Sequence, residues 1–303
     1  MTSNAETYGI IVAVDGSPAS DSALRWAACD AVLRKSSVTV MHVVEPVIVN
    51  WPIPPLQGTI TEWQQDNAHQ VTERARDALA AGAVGAENLV VRTEVRYAGV
   101  VDELVAASAR AHLMVVGSRG KGAAGRVILG SVSGGLVHHA RCPVVVVHAG
   151  DAQAVDYISP ILVGIDGSPA SEEAIAFAFD EAERRRVDLV ALHAWSDVDV
   201  FPALGANWRA YEDQGHEVLG ERLAGWHERY PDVTVHRRVV GDQPARSLIE
   251  NSQQAQLVVV GSHGRGGFAG LLLGSVSTRV AREAEAPVMV VRGPTRSRGP
   301  TRS

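Results

Sequence analysis

Cysteine is nearly absent from this chain of 303 residues: Cys29 and Cys142 stand alone, outside any CxxC or zinc-type spacing. That excludes a disulfide framework and a cysteine-built metal site, and leaves two small apolar residues for a core. Aromatic residues make up only 5% of the chain, and Trp26, Trp51, Trp63, Trp195, Trp208 and Trp226 form no series with basic residues. A stacking platform for single-stranded nucleic acid is therefore not expected. Positive charge is in deficit, 28 Lys plus Arg against 34 Asp plus Glu for a formal charge of −6, which argues against a nucleic-acid partner. The exception is the end, 294–303, PTRSRGPTRS, expected as a flexible basic tail. No apolar run approaches the roughly 20 residues of a membrane span, and MTSNAETYGI lacks the basic start and apolar stretch of a secretory signal. A cytoplasmic protein is the expectation.

Several catalytic and phosphate signatures are missing too. No GxSxG elbow and no HExxH helix occurs. GRVILGSV (125–132) has the glycine spacing of a P-loop but places Ser131 where the lysine is required. The first strand-to-helix turn, VDGSPAS, has one glycine where a dinucleotide fingerprint needs three.

What is present is present twice. VVGSRGKGAAGRVILGSVS (115–133) returns as VVGSHGRGGFAGLLLGSVS (259–277), with an offset of 144 at each glycine, 261 minus 117, 264 minus 120 and 274 minus 130. Asp-Gly-Ser-Pro-Ala-Ser begins at Asp15 and again at Asp166, and His42 is matched by His193, both at an offset of 151. The first copy thus carries seven extra residues between these landmarks, expected in a loop at the Pro-rich EPVIVNWPIPPLQG. Short β-rich runs alternate with helical stretches in each copy, and LMVVG and VVVV are apolar throughout, as parallel strands covered on both faces are. In the first helix Leu24, Ala27, Ala28 and Ala31 mark an apolar stripe. The pattern predicts two tandem doubly wound α/β domains, 1–150 and 156–293, each a five-stranded parallel sheet with helices on both faces. The final strands, PVVVV and PVMVV, are expected to pair the two units, because open edges invite aggregation.

The repeated glycines fall where ligands collect in such sheets, beyond the carboxyl ends of the strands. Glycine admits close approach and positive φ, and free N–H groups at a helix start attract phosphate oxygens. The dipole contributes only about 0.3–1 kcal/mol, so several N–H groups and the Ser131 or Ser275 hydroxyl must act together. A tight turn would explain the first two glycines of each set, but not a third ten residues later followed by serine. Asp15 and Asp166 read equally as turn or capping residues. His42 and His193 read as core histidines with one satisfied nitrogen. The pair His138–His139 does not return in the second copy, so no metal role is expected. Glu172–Glu173 and Asp180–Glu181 read as a wet helix face.

The motif G-x2-G-x9-G-(S/T), as Gly117, Gly120, Gly130, Ser131 and as Gly261, Gly264, Gly274, Ser275, resembles the ATP-binding signature of the universal stress proteins, and nearly all of both halves is similar to their tandem-domain mycobacterial type. The resemblance implies that Asp15 and Asp166 lie near the ribose and phosphate entrance and that the backbone of Val43 and Ala194 meets adenine. It implies Gly117 and Gly261 beside the ribose, and Gly120, Gly130, Ser131, Val132 with Gly264, Gly274, Ser275, Val276 along the phosphates. Arg119 against His263, and Lys121 against Arg265, imply unequal affinities. The function expected is an ATP-regulated switch or signalling protein of the stress response, not an enzyme, working as a homodimer with an unidentified protein partner. The alternative is a slow Mg²⁺-dependent ATP hydrolase with Asp15 or Asp166 holding the ion or orienting water.

Overall fold

The computed structural model describes residues 7–46, 54–81, 85, 88–120, 129–150, 158–194, 208–241, 243–264 and 273–293. The interiors of the glycine loops, with Lys121 and Arg265, and the basic tail lie outside them. The first half runs β1 (Ile10–Ala13), α1 (Pro18–Arg34), β2 (Val38–Val44), α2 (Pro54–Ala81), β3 (Val91–Tyr97), α3 (Val100–Ser108), β4 (Leu113–Gly117), α4 (Ser131–His139) and β5 (Val144–Val147). The second runs β6 (Ile161–Gly164), α5 (Pro169–Arg185), β7 (Leu189–Ala194), α6 (Trp208–Arg222), α7 (Trp226–Arg229), β8 (Val235–Val240), α8 (Pro244–Ser252), β9 (Leu257–Gly261), α9 (Ser275–Glu283) and β10 (Val288–Val291).

Each half is a parallel sheet in the doubly wound order 3-2-1-4-5, and the two join into one ten-stranded sheet, β3-β2-β1-β4-β5-β10-β9-β6-β7-β8. The junction is the expected one: β5 and β10 pair antiparallel, Val145 opposite Met289. Side chains alternate across each strand, so Ile10 and Val12 enter one core layer while Ile11 and Ala13 enter the other, and both layers run through both halves. The outer strands carry charge instead: Arg92, Glu94 and Arg96 on β3, and His236, Arg237 and Arg238 on β8.

The Pro-rich stretch departs from its expected loop. Helix α2 already begins at Pro54, because proline is tolerated in the first turn, where no N–H partner is lost; 47–53 lie outside the described residues. The offset is 144 again by the third strand of each half, 235 minus 91, so the length difference falls between the second and third strands.

Helix α1 is buried around more of its circumference than one stripe, including Trp26 and Asp30, because it packs on the sheet and also on α2 and α5. At that α1–α5 contact the wet-face reading of Asp180–Glu181 is overturned for Glu181, which is 0% exposed. Arg185 bonds Glu181 at 2.8 Å and Asp30 at 2.9 Å, and Arg34 bonds Asp30 at 2.7 Å and also Glu181. Asp30 and Glu181, like Arg34 and Arg185, are 151 apart, so each half contributes one acid and one arginine. Burial pushes the Asp30 carboxyl up to about 6, with the Glu181 charge adding to the rise against the pull of both arginines. Against the same desolvation, Arg185 and Arg34 hold Glu181 below the ordinary carboxylate range. Both guanidinium groups thus bridge both carboxylates, and Asp30 is the acid that takes up a proton first as pH falls.

Removing one member of a buried ion cluster leaves charge uncompensated. Glu181→Gln should lower the unfolding free energy by about 3–5 kcal/mol, and Asp30→Asn, which removes a charge that burial already opposes, should lower it distinctly less, read by urea denaturation at pH 7.5. Asp30 binds its proton more tightly in the folded chain, at about 6, than in the unfolded one, where its ordinary value is 3.8. Its contribution to stability therefore rises as pH falls from about 6 towards 4, an increment that Asp30→Asn abolishes.

Candidate nucleotide site

In each half the strand order reverses between the first and fourth strands, so a crevice opens where β1 ends near Asp15 and β4 ends at Gly117, and likewise between Asp166 and Gly261. The Asp-Gly-Ser-Pro segment builds one wall. Gly16 and Gly167 take φ of +75° and +78°, a left-handed turn that favours glycine. The turn is closed by Asp15 Oδ1 accepting the Ser17 N–H at 3.0 Å, and by Asp166 Oδ1 accepting that of Ser168 at 2.9 Å. Ser17 and Ser168 are the N-caps, accepting from the N–H groups of Ser20 and Ser171. The aspartates are therefore turn residues and not caps. Each capping hydroxyl also donates across the crevice, Ser17 to the Arg119 carbonyl at 3.2 Å and Ser168 to that of His263 at 3.0 Å.

The glycines of the opposite wall have separate causes. A Cβ on Gly117 would lie 2.7 Å from the Ala19 backbone, and one on Gly261 2.7 Å from that of Ala170, so these two let strand and helix touch. A Cβ on Gly120 or Gly264 would lie 2.6 Å from Oδ2 of Asp15 or Asp166, so these two let the loop approach the carboxylate. None of the motif glycines has the positive φ expected of it; Gly130 and Gly274 sit at −63° and −61°.

One part of the expected cradle is turned inward. The N–H of Gly130 donates to the Ser118 carbonyl and that of Gly274 to the Ser262 carbonyl, each at 2.8 Å. The Ser133 hydroxyl donates to the same Ser118 carbonyl, and the Ser277 hydroxyl to Gly261. The second serine of GSVS, which motif reading passed over, is thus the one that fixes the loop to the helix; its repetition at 133 and 277 was the available signal. What stays open is the helix start after the glycine. No side chain caps α4 at Gly130 or α9 at Gly274, in contrast to α1 and α5.

Strand register accounts for Val43 and Ala194. In a parallel strand alternate residues bond to alternate neighbours, and Met41 on β2 accepts from Val14 while Val44 accepts from Ala98. The N–H and C=O of Val43 therefore point to the β1 side, beyond the last ladder pair, Ala13 with Met41. Ala194 stands likewise beyond Gly164 with Leu192. His42 and His193 are buried, each Nδ1 bonded to a backbone carbonyl, of Val14 at 2.7 Å and Ile165 at 2.6 Å, as core histidines are.

These walls enclose two cavities. One of about 410 Å³ is lined by Asp15, Val43, Gly117, Gly120, Gly130, Ser131 and Val132, with Met41, Val100 and Leu104 as an apolar floor. The other, of about 580 Å³, is lined by Asp166, Ala194, Gly261, Gly264, Gly274, Ser275 and Val276, with Leu192, Leu248 and Val260. Every candidate residue lines the cavity of its half. At the matching position Arg119 lines the first cavity and His263 the second.

The profile of the universal stress protein family matches residues 9–148 and 158–292. The chain belongs to the universal stress protein family. It is 55% identical over 292 residues to a universal stress protein of Mycolicibacterium smegmatis, covering 96% of this chain and 99% of that one. Universal stress protein Rv2623 of Mycobacterium tuberculosis is 50% identical over 293 residues, 96% of this chain and 99% of its own. A crystal structure of a universal stress protein from Archaeoglobus fulgidus superposes with a TM-score of 0.66 at 21% identity, covering 95% of this chain and 99% of that one, which shows the shared fold. In universal stress protein terms this is the tandem form, two family units in one chain. Among the described residues no helix is long and apolar enough to cross a membrane, and no group of three His, Cys, Asp or Glu could hold a metal ion.

The two glycine types should separate by stability. Gly117→Ala forces a Cβ into backbone and should cost about 1–3 kcal/mol. Gly120→Ala displaces a side-chain carboxylate and should cost about 1 kcal/mol or less. Urea melts of both variants check the difference.

Proposed function

We propose that each half binds ATP and that the chain acts as a nucleotide-regulated switch of the stress response and not as an enzyme. The observation that carries this reading is the uncapped start of α4 and of α9, each opening on a cavity with an apolar floor and a carboxylate at its rim. Both volumes fall within the roughly 300–1,000 Å³ of small-molecule sites. Free N–H groups and the helix dipole suit phosphate oxygens, the out-turned backbone of Val43 and Ala194 suits a purine edge, and Ser131 and Ser275 add hydroxyls. Mg²⁺ accompanying the triphosphate would find its protein oxygen on Asp15 or Asp166. A binding role is supported by how the nearby titratable groups are used: both aspartates close turns, and the Nδ1 of each core histidine is taken by a carbonyl. A cytoplasmic homodimer that presents a nucleotide-dependent surface to a protein partner completes the reading.

Equilibrium dialysis should find two ATP per chain, reduced at least about tenfold in affinity by the paired Gly120→Ala and Gly264→Ala changes, the equivalent of about 1.4 kcal/mol. A wild-type protein that retains no ATP and is recovered without any adenine nucleotide overturns the proposal. Phosphate release should be negligible; release that is lost in the Asp15→Asn, Asp166→Asn double variant would favour the hydrolase instead.

A further inference from the structure

The two cradles are near copies, yet one is braced from the other half of the chain. His138, in the last turn of α4, accepts the backbone N–H of Leu273 on its Nδ1 at 3.1 Å. Leu273 is buried and immediately precedes Gly274, the residue that opens α9 and the second cradle. Helix α4 therefore begins at Ser131 in the first cradle and, two turns later, ends on the second.

The reciprocal contact cannot form by the same chemistry. At the offset of 144 the counterpart of His138 is Arg282, and that of Leu273 is Leu129. A guanidinium carries donors and no acceptor, so it has nothing to offer a backbone N–H. The histidine pair that appeared merely unrepeated in the sequence is thus an asymmetric device.

We propose that His138 is a positioning residue of the second cradle: by holding the Leu273 amide it sets the entry into α9 in its ligand-ready geometry, and it makes that cradle alone sensitive to acid. The assignment of ATP to the cradle rests on the function proposed above; the brace itself does not. Nδ1 accepts only while it is unprotonated, so His138 must be neutral. The groups facing it favour that state: burial, then His139 on its own helix, Arg292 after β10 and His263 after β9 hold its pKa below the ordinary histidine value. A lowered folded-state pKa leaves the brace intact above the usual histidine range and loses it as pH falls below that range. A protonated His138 would also add a positive charge beside Arg292.

Amide hydrogen exchange on the full chain reads each cradle separately. In ligand-free protein, His138→Leu should speed exchange at Leu273 by about tenfold, the equivalent of one hydrogen bond, and leave residues 129–133 unchanged. His138→Asn should restore protection, because its Oδ1 stands where Nδ1 stood and still accepts. With ATP added, half-protection of the second cradle should need about tenfold more ATP in His138→Leu than in wild type, while the first cradle stays within about twofold. Wild type moved from pH 7.5 to 5.5, after correction for intrinsic exchange, should reproduce the Leu273 change, and His138→Asn should not. Leu273 exchange that is the same in His138→Leu and wild type, or a pH response that persists in His138→Asn, overturns the proposal. If Leu273 responds but ATP protects neither cradle, the brace is upheld and the nucleotide reading fails.

Discussion

The antiparallel ladder between β5 and β10 is the contact on which the rest of the molecule depends. Four-residue strands from two separate units close on each other, and their twofold relation sets every other crossing between the halves. It brings α1 against α5, so that two acids and two arginines meet in the interior between them. It also brings the end of α4 to the loop ahead of α9. Neither contact has meaning in an isolated half, since each would expose half of an ion cluster or leave a histidine without its donor.

Symmetry and its failure divide the work. The ion cluster obeys the repeat, D-x3-R in one helix and E-x3-R in the other, and acts as a structural lock. The cradle walls obey it too, down to the distance a glycine Cβ would have from its aspartate. Single-residue departures mark three places: Arg119 becomes His263, His138 becomes Arg282, and His148 becomes Arg292. At these positions the first half thus carries one arginine and two histidines and the second one histidine and two arginines, and because His138 reaches the loop ahead of α9, a first-half histidine stands beside the second site.

Much of this was legible in the residues. Apolar runs bounded by glycine-rich turns give parallel strands, the doubled motif gives two units, and every residue assigned to the cradle lines its cavity. What escaped depended on distant partners. Glu181 looked like one of an ordinary wet pair because its two arginines are split between its own helix and one 147 residues away; the matching D-x3-R was the clue. Gly130 and Gly274 looked like phosphate donors because a motif does not say which carbonyl stands behind an amide. His138 was set aside because it did not repeat, although the absence of repetition is what a one-sided contact leaves in a sequence.

The charged outer strands also have a wider consequence. Joining at β5 and β10 consumes the two inner margins of the sheet and leaves β3 and β8 as its flanks, each studded with arginine beside a carboxylate or histidine. A neighbouring chain docking there would have to strip water from those ions before gaining a single ladder bond. Polymerisation by lateral strand addition is thereby discouraged.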